Sequence, residues 1–363
     1  MNQIPNLSRA RAVSYPQQEN QAFHWLRKLS FLVLSLSVVH CMFLPKDKDC
    51  LDRSDCTGLA LLAMLNIPPR TLGPFEALAV PDDNHGMIAY GDPGFVLAST
   101  STPYDSHLLR ADDSTSSSED PGMHTQYLRL HFANGYYYGT SRIRSTVARS
   151  ADGLSWERLD LPGGAVTDLA FGNGLLVAVR DATENSVFVS SNGVDWATVA
   201  APGGDWRAVT FGNGMFIAVG QGTPGRLMYS HNGYDWHEGT LPIKNPIDIT
   251  FGSHGLMHRF VAVSYQDESR RYAATSIDGF NWRADPIPFE SGMDAIAFGG
   301  GNFVGLQAGD DTVLVSQNGF DWELRETPST FSEAYLSGIA FGQDRFIVST
   351  EGNQIIQARL LDE

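Results

Sequence analysis

Arg129 and His131 stand two residues apart in the run Arg-Leu-His-Phe, one of seven short segments that each end on an aromatic residue. The residue before the aromatic is Ala89, Ala170, Thr210, Thr250, Ala297 or Ala340 in six of them, and His131 in the other. Two residues earlier come Met87, Ala208, Ala295 and Gly338, but also Arg129, Asp168 and Asp248. Arg129, His131, Asp168 and Asp248 therefore share one face of these segments, and their types could do chemistry. A guanidinium grips a carboxylate or phosphate through two parallel hydrogen bonds. An imidazole moves protons near neutral pH. Two carboxylates about 5 Å apart are the acid and nucleophile of a retaining glycosidase. The competing reading is that these residues neutralise one another in the wall of a channel. Replacing Arg129 and His131 together separates the two: a ligand site loses binding without losing the fold.

Other chemistry leaves no trace. His-x-x-x-His metal pairs, Gly-x-Ser-x-Gly elbows and phosphate-binding loops are missing, so no metal or cofactor is expected. The Gly-Asn-Gly runs, and Gly-Gly-Gly-Asn at 299–302, read as hairpin turns because no helix follows them. With 41 acidic against 25 basic residues the net charge is −16, which excludes a nucleic-acid polyanion as the main partner.

What must position these residues is a repeat. Five of the seven tryptophans close one motif: Ser-Ala-Asp-Gly-Leu-Ser-Trp at Trp156 and its relatives at Trp196, Trp236, Trp282 and Trp322, at intervals of 40, 40, 46 and 40 residues. The aromatic segments recur with them, and two looser copies around Tyr90 and Phe132 bring the total to seven. The unit at 167–200 divides into four strands, Thr-Asp-Leu-Ala-Phe, Leu-Leu-Val-Ala-Val, Ser-Val-Phe-Val-Ser and Asp-Trp-Ala-Thr-Val, punctuated by Gly and Asn. Four antiparallel strands every ~40 residues describe a propeller blade. Asn192-Gly193 is expected to supply positive-φ positions to the hairpin between the third and fourth strands, with Trp196 covering that hairpin as a structural staple.

The ends of the chain suggest how the ring closes. Each motif tryptophan is followed six residues later by proline, and Phe75 stands six before Pro81. The segment at 75–81 thus reads as a fourth strand with no first three, while the last copy lacks its fourth. The expected fold is all-β: a seven-bladed propeller of four-stranded antiparallel blades, its N-terminal strand completing the C-terminal blade and hiding both edges. In the first copy the motif is replaced by a serine-rich, acidic stretch at 112–120, expected as a solvated loop or frayed outer strand.

The Ser-x-[Asp/Asn]-Gly-x-x-Trp motif resembles the Asp-box of the BNR-type propellers, which include sialidases, sortilin-like receptors and the photosystem II assembly lipoprotein family. It is one residue shorter than the usual box. The likeness covers roughly residues 74–363 and is stronger still to exported bacterial proteins with many such units. It implies a propeller and an exported location but no fixed activity. A sialidase would also need three clustered arginines and a Tyr–Glu pair, and its first-blade arginine motif is absent.

The N-terminus differs from the repeats. A basic segment at 1–28 with Arg9, Arg11, Arg27 and Lys28 precedes an apolar run at 29–44, read as a signal or short signal-anchor. Residues 45–73 form a linker whose Cys50 and Cys56 are a candidate disulfide in an oxidising compartment. The propeller is assigned to 74–363. The expectation is an exported, extracytoplasmic propeller that binds a protein partner as a subunit or assembly factor of an envelope complex, with its membrane contact through the N-terminal segment. Catalysis is left open and a non-enzyme favoured. The alternative is a carbohydrate-binding protein or a sialidase-like glycoside hydrolase.

Overall fold

The computed structural model describes residues 68–78, 85–99, 106–110, 112–118, 129–141, 145–264, 272–288, 292–307, 312–328, 336–350 and 355–361. The basic and apolar N-terminal segments, Cys50 and Cys56 lie outside the described residues. Those that are described belong to one compact unit, Pro68–Glu363.

Seven antiparallel sheets form a ring of blades. Their first strands, which run along the axis, are His85–Gly91, Arg129–Ala133, Asp168–Gly172, Pro202–Gly212, Asp248–His254, Met293–Gly299 and Leu336–Gly342 for blades 1 to 7. Blade 7 is completed by Glu76–Leu78, which pairs with Ile355–Arg359 in the register Glu76↔Gln357. An isolated bridge between Leu72 and Leu360 extends this docking to residues ahead of 74.

The core is divided between blades. Seven apolar clusters fill seven seams, and the motif tryptophans lie in five of them: Trp156 between blades 1 and 2, Trp196 between 2 and 3, Trp236 between 3 and 4, Trp282 between 4 and 5 and Trp322 between 5 and 6. Phe75 takes the corresponding place in the seam of blades 6 and 7. Each indole thus joins its blade to the preceding one.

The motif turn is built by its own side chains. Ser190 Oγ accepts from the Gly193 amide at 2.8 Å, and Asn192 Oδ1 accepts from Val194 and Asp195 at 2.9 Å each. Only the glycine has positive φ, 74° at Gly193; Asn192 does not, contrary to expectation. The reason is that Asn192 acts through its side chain, closing the turn over the following amides. The turns with two positive-φ residues join the first and second strands instead, as at Asn173 and Gly174, φ 51° and 75°. Glycine is also demanded by the neighbour, since a Cβ on Gly193 would overlap the Tyr138 hydroxyl of blade 2.

Two features of the sheets go beyond the repeat as read from the sequence. Asp181–Glu184, between the second and third strands of blade 3, pairs with the start of the first strand of blade 4, giving that sheet five strands. In blade 1, Thr115–Ser118 is an outer strand paired with Ser106–Leu109, so of the two readings of the serine-rich stretch this part is strand rather than loop, and the blade keeps four strands.

A third feature follows from one substitution in the repeat. The residue directly after the anchor aromatic is Gly in six blades, and a Cβ on each would overlap the anchor aromatic of the next blade, as on Gly172 with Phe211 and Gly212 with Phe251. Blade 7 does the same for blade 1, through Gly342 and Tyr90. Blade 2 has Ala133 there. The anchor it should receive, Phe171, is 38% exposed, the most of the seven. Phe171 also lacks an aromatic partner, because Leu176 is opposite it where the other blades pair two rings at 4.6–4.9 Å.

Candidate functional site

A propeller's first strands turn an unpaired edge toward the axis, leaving backbone amides without sheet partners. Asp168 and Asp248 meet part of that demand. Asp168 opens the first strand of blade 3 and its Oδ2 accepts from the Val209 amide of blade 4 at 2.7 Å. Asp248 opens that of blade 5, and its Oδ2 accepts from the Ile296 amide of blade 6 at 3.0 Å. Each carboxylate caps the neighbouring blade.

Arg129 and His131, both from blade 2, complete the cluster. Arg129 Nη1 lies 2.8 Å from Asp248 Oδ1 and 3.6 Å from Asp168 Oδ2, and Nη2 donates to the Ile247 carbonyl at 3.0 Å. His131 Nε2 is 3.0 Å from Asp168 Oδ1. Neither atom has another partner, so the contact is a hydrogen bond when Nε2 carries the proton. All four predicted residues are therefore brought together, and a single guanidinium crosses from blade 2 to blade 5. The aspartates are nearly buried, with 3% and 10% of their side chains exposed, whereas Arg129 keeps 29% open to the channel.

The charges shift one another unequally. For Asp168, burial opposes ionisation, but Arg129, His131 and the Val209 amide together outweigh it and hold the carboxyl below its ordinary range. For Asp248, burial prevails, aided by the like charge of Asp168, and Arg129 offsets only part of it, so this carboxyl is raised. Arg129 is held protonated: burial opposes its charge, and the two aspartates override that.

Sequence reasoning missed a neighbouring group in blade 4. The first strands of blades 1, 4, 6 and 7 shift register just before Met87, Ala208, Ala295 and Gly338, while blades 2, 3 and 5, with charged residues there, do not. The extra residue in blade 4 is Arg207, which pairs with Asp205 beside Gln221. Bulges re-aim side chains in this way, but no local sequence signal marks them. Among the described residues, no group of three or more His, Cys, Asp or Glu could hold a metal ion.

A second buried arginine lies in the seam of blades 7 and 1. Arg345 is fully buried; its Nη1 reaches Asp113 and, at 2.8 Å, Gln357 Oε1, and its Nη2 donates to the Arg110 carbonyl at 3.0 Å. Its guanidinium also stacks over Phe95. The turn at Asp113 replaces the glycine motif of the other blades.

No protein-family model and no curated protein matches this chain. Solved structures do. Streptogramin B lyase is 13% identical with a TM-score of 0.65, over 81% of this chain and 100% of that one. A catalytically inactive virginiamycin B lyase from Staphylococcus aureus with Quinupristin is 14% identical, TM-score 0.68, over 79% and 99%. YCF48 bound to D1 peptide is 15% identical, TM-score 0.59, over 82% and 98%. At such identities the likeness establishes the propeller fold.

Proposed function

We propose that this chain is a non-catalytic propeller that works by binding another protein. One observation carries the reading. The four carboxylate oxygens of Asp168 and Asp248 are all engaged, by Arg129, by His131 and by backbone amides of adjacent blades. The groups best suited to chemistry are thus committed to holding the ring, which leaves the exposed turns to make contacts. The neighbour that holds a D1 peptide supports this, being a propeller of similar size engaged with a polypeptide. The basic N-terminal flank and the apolar run at 29–44 support export and attachment to a cell envelope, where the chain would serve as a subunit or assembly factor. The motif turns fit a BNR-type repeat shortened by one residue.

A second reading has an observation of its own. Asp168 is held in its base form while burial favours the acid form of Asp248, and such a split marks acid–base pairs in glycosidases. Purification of the tagged full-length chain from detergent-solubilised membranes distinguishes the two. A stoichiometric protein partner is expected. Binding to a glycan array, or glycoside hydrolysis abolished by Asp168→Asn, would overturn the proposal in favour of the carbohydrate reading.

A further inference from the structure

Nine large apolar side chains are exposed among the described residues, and they are not spread evenly. In a four-stranded antiparallel blade, the turn between strands one and two and that between strands three and four lie at the same end. Six of the nine stand at this end of blades 3, 4 and 5: Phe171, Val194, Tyr234, Leu256, Ile277 and Phe280, exposed by 38 to 62%. Contacts tie these turns into one surface. Asn173 Nδ2 of blade 3 donates to the His231 carbonyl of blade 4 at 3.2 Å. Phe280 of blade 5 meets Tyr229 of blade 4 edge-on at 4.9 Å and lies 6.4 Å from the His231 ring. Monomeric proteins seldom leave so many apolar residues on one side.

The same turns carry negative charge. Asp195, Asp235 and Asp278 occur once per blade within the motif. Asp195 Oδ2 and Asp235 Oδ2 each accept only a side-chain amide of their own turn, at 2.8 Å. Asp278 bonds to Phe280 N, Asn281 N and Ser276 Oγ and stays ionised. Of the arginines on these blades and blade 2, Arg149 is paired with Glu157 and Arg283 with Asp285, and Arg259 and Arg283 both stack on the Phe320 ring. His231, His254 and His258 add polar surface.

Resting on the protein-binding reading, we infer that this face of blades 3 to 5 is the docking surface, and that its occupant is a polypeptide segment rich in both apolar and basic residues. The apolar side chains supply the contact area, and the carboxylates select against acidic segments. The chain's overall charge of −16 steers the same kind of partner.

The test pans a phage-displayed random peptide library against the full-length chain and against its Tyr234→Ser/Phe280→Ser variant. Both side chains are at least half exposed, so the variant should fold as the parent does. Recovered peptides should combine Lys or Arg with Leu, Phe or Trp, bind the variant about tenfold more weakly, and weaken with added salt. If the variant folds poorly, Asp195→Asn/Asp235→Asn takes its place and should remove most of the salt dependence. Acidic peptides, or binders indifferent to both variants, overturn the assignment of this face while leaving a protein-binding role intact. No binder at all overturns both. Phosphatidylcholine vesicles that bind the parent and not the variant would reassign the face to lipid. Self-association lost in the variant would reassign it to a second copy.

Discussion

Replacing Arg345 by Met should loosen the joint between the last blade and the first. The guanidinium is fully buried, so its loss leaves Gln357 Oε1 without its donor, while the Arg110 carbonyl keeps the Asp113 amide at 3.1 Å. A buried acceptor left unpaired costs about 1–3 kcal/mol. The ion pair itself adds little, because Asp113 is 40% exposed and turns to water; its share is about 0–1 kcal/mol. Methionine fills a similar volume, so the cavity term is small. The net loss is about 2 kcal/mol, or roughly 3–8 °C in the melting midpoint for a domain of this size. Arg359 provides the control, since it bonds the same carboxylate at 3.3 Å while 49% exposed. Arg359→Met should change stability by no more than ~0.5 kcal/mol. Arg345→Lys should fall between the two, keeping the charge but losing the fork. Parallel calorimetric and urea melts measure all three. Equal shifts for Arg345→Met and Arg359→Met, or a loss below ~1 kcal/mol for the former, would refute the argument that the buried hydrogen bonds rather than the charge close the seam.

The axial aspartates should respond oppositely to pH. Asp168, whose carboxyl is lowered in the fold, contributes stability that is present above the ordinary value of 3.8 and is lost as pH falls through its lower folded value. Asp248, whose carboxyl is raised, contributes most below 3.8 and loses it as pH rises through the folded value. Asp168→Asn should therefore cost more than Asp248→Asn at pH 7, by about 1–2 kcal/mol, and melts repeated toward pH 3 should bring the two together. Gly174→Ala and Gly193→Ala separate backbone strain from packing. Both glycines have φ near 75°, but a Cβ at Gly174 meets nothing and one at Gly193 overlaps Tyr138. Denaturant melts should find about 1 kcal/mol lost at Gly174 and at least ~1 kcal/mol more at Gly193.

The ring was legible because its determinants are local and repeated. Turn glycines and strand lengths recur from blade to blade, the tryptophan interval runs through five of them, and the unmatched strand around Phe75 showed where the circle closes. The axial cluster was legible for a related reason: once the first strands are aligned, Arg129, Asp168 and Asp248 share a register and His131 lies on the same face two residues on. Arg345 and Asp113 escaped because their meeting depends on the ring being closed, which nothing near either residue announces. The strand at Asp181–Glu184 also escaped, being short, polar and dependent on its partner at Pro202–Asp205. For Phe171 a sign was present, since Ala133 interrupts a column of glycines, but its meaning requires knowing that each glycine seats the next blade's ring.

Joining the two ends of the chain in one sheet has a temporal consequence. Arg70 Nη2 bonds the Leu360 carbonyl across 290 residues. At ribosomal rates the early segment therefore waits roughly 15–60 s for its partner to be made. During that interval six blades stand in an open arc with two bare rims. Until the closing strand arrives, a nascent chain in this condition exposes sheet edges that can pair with other chains.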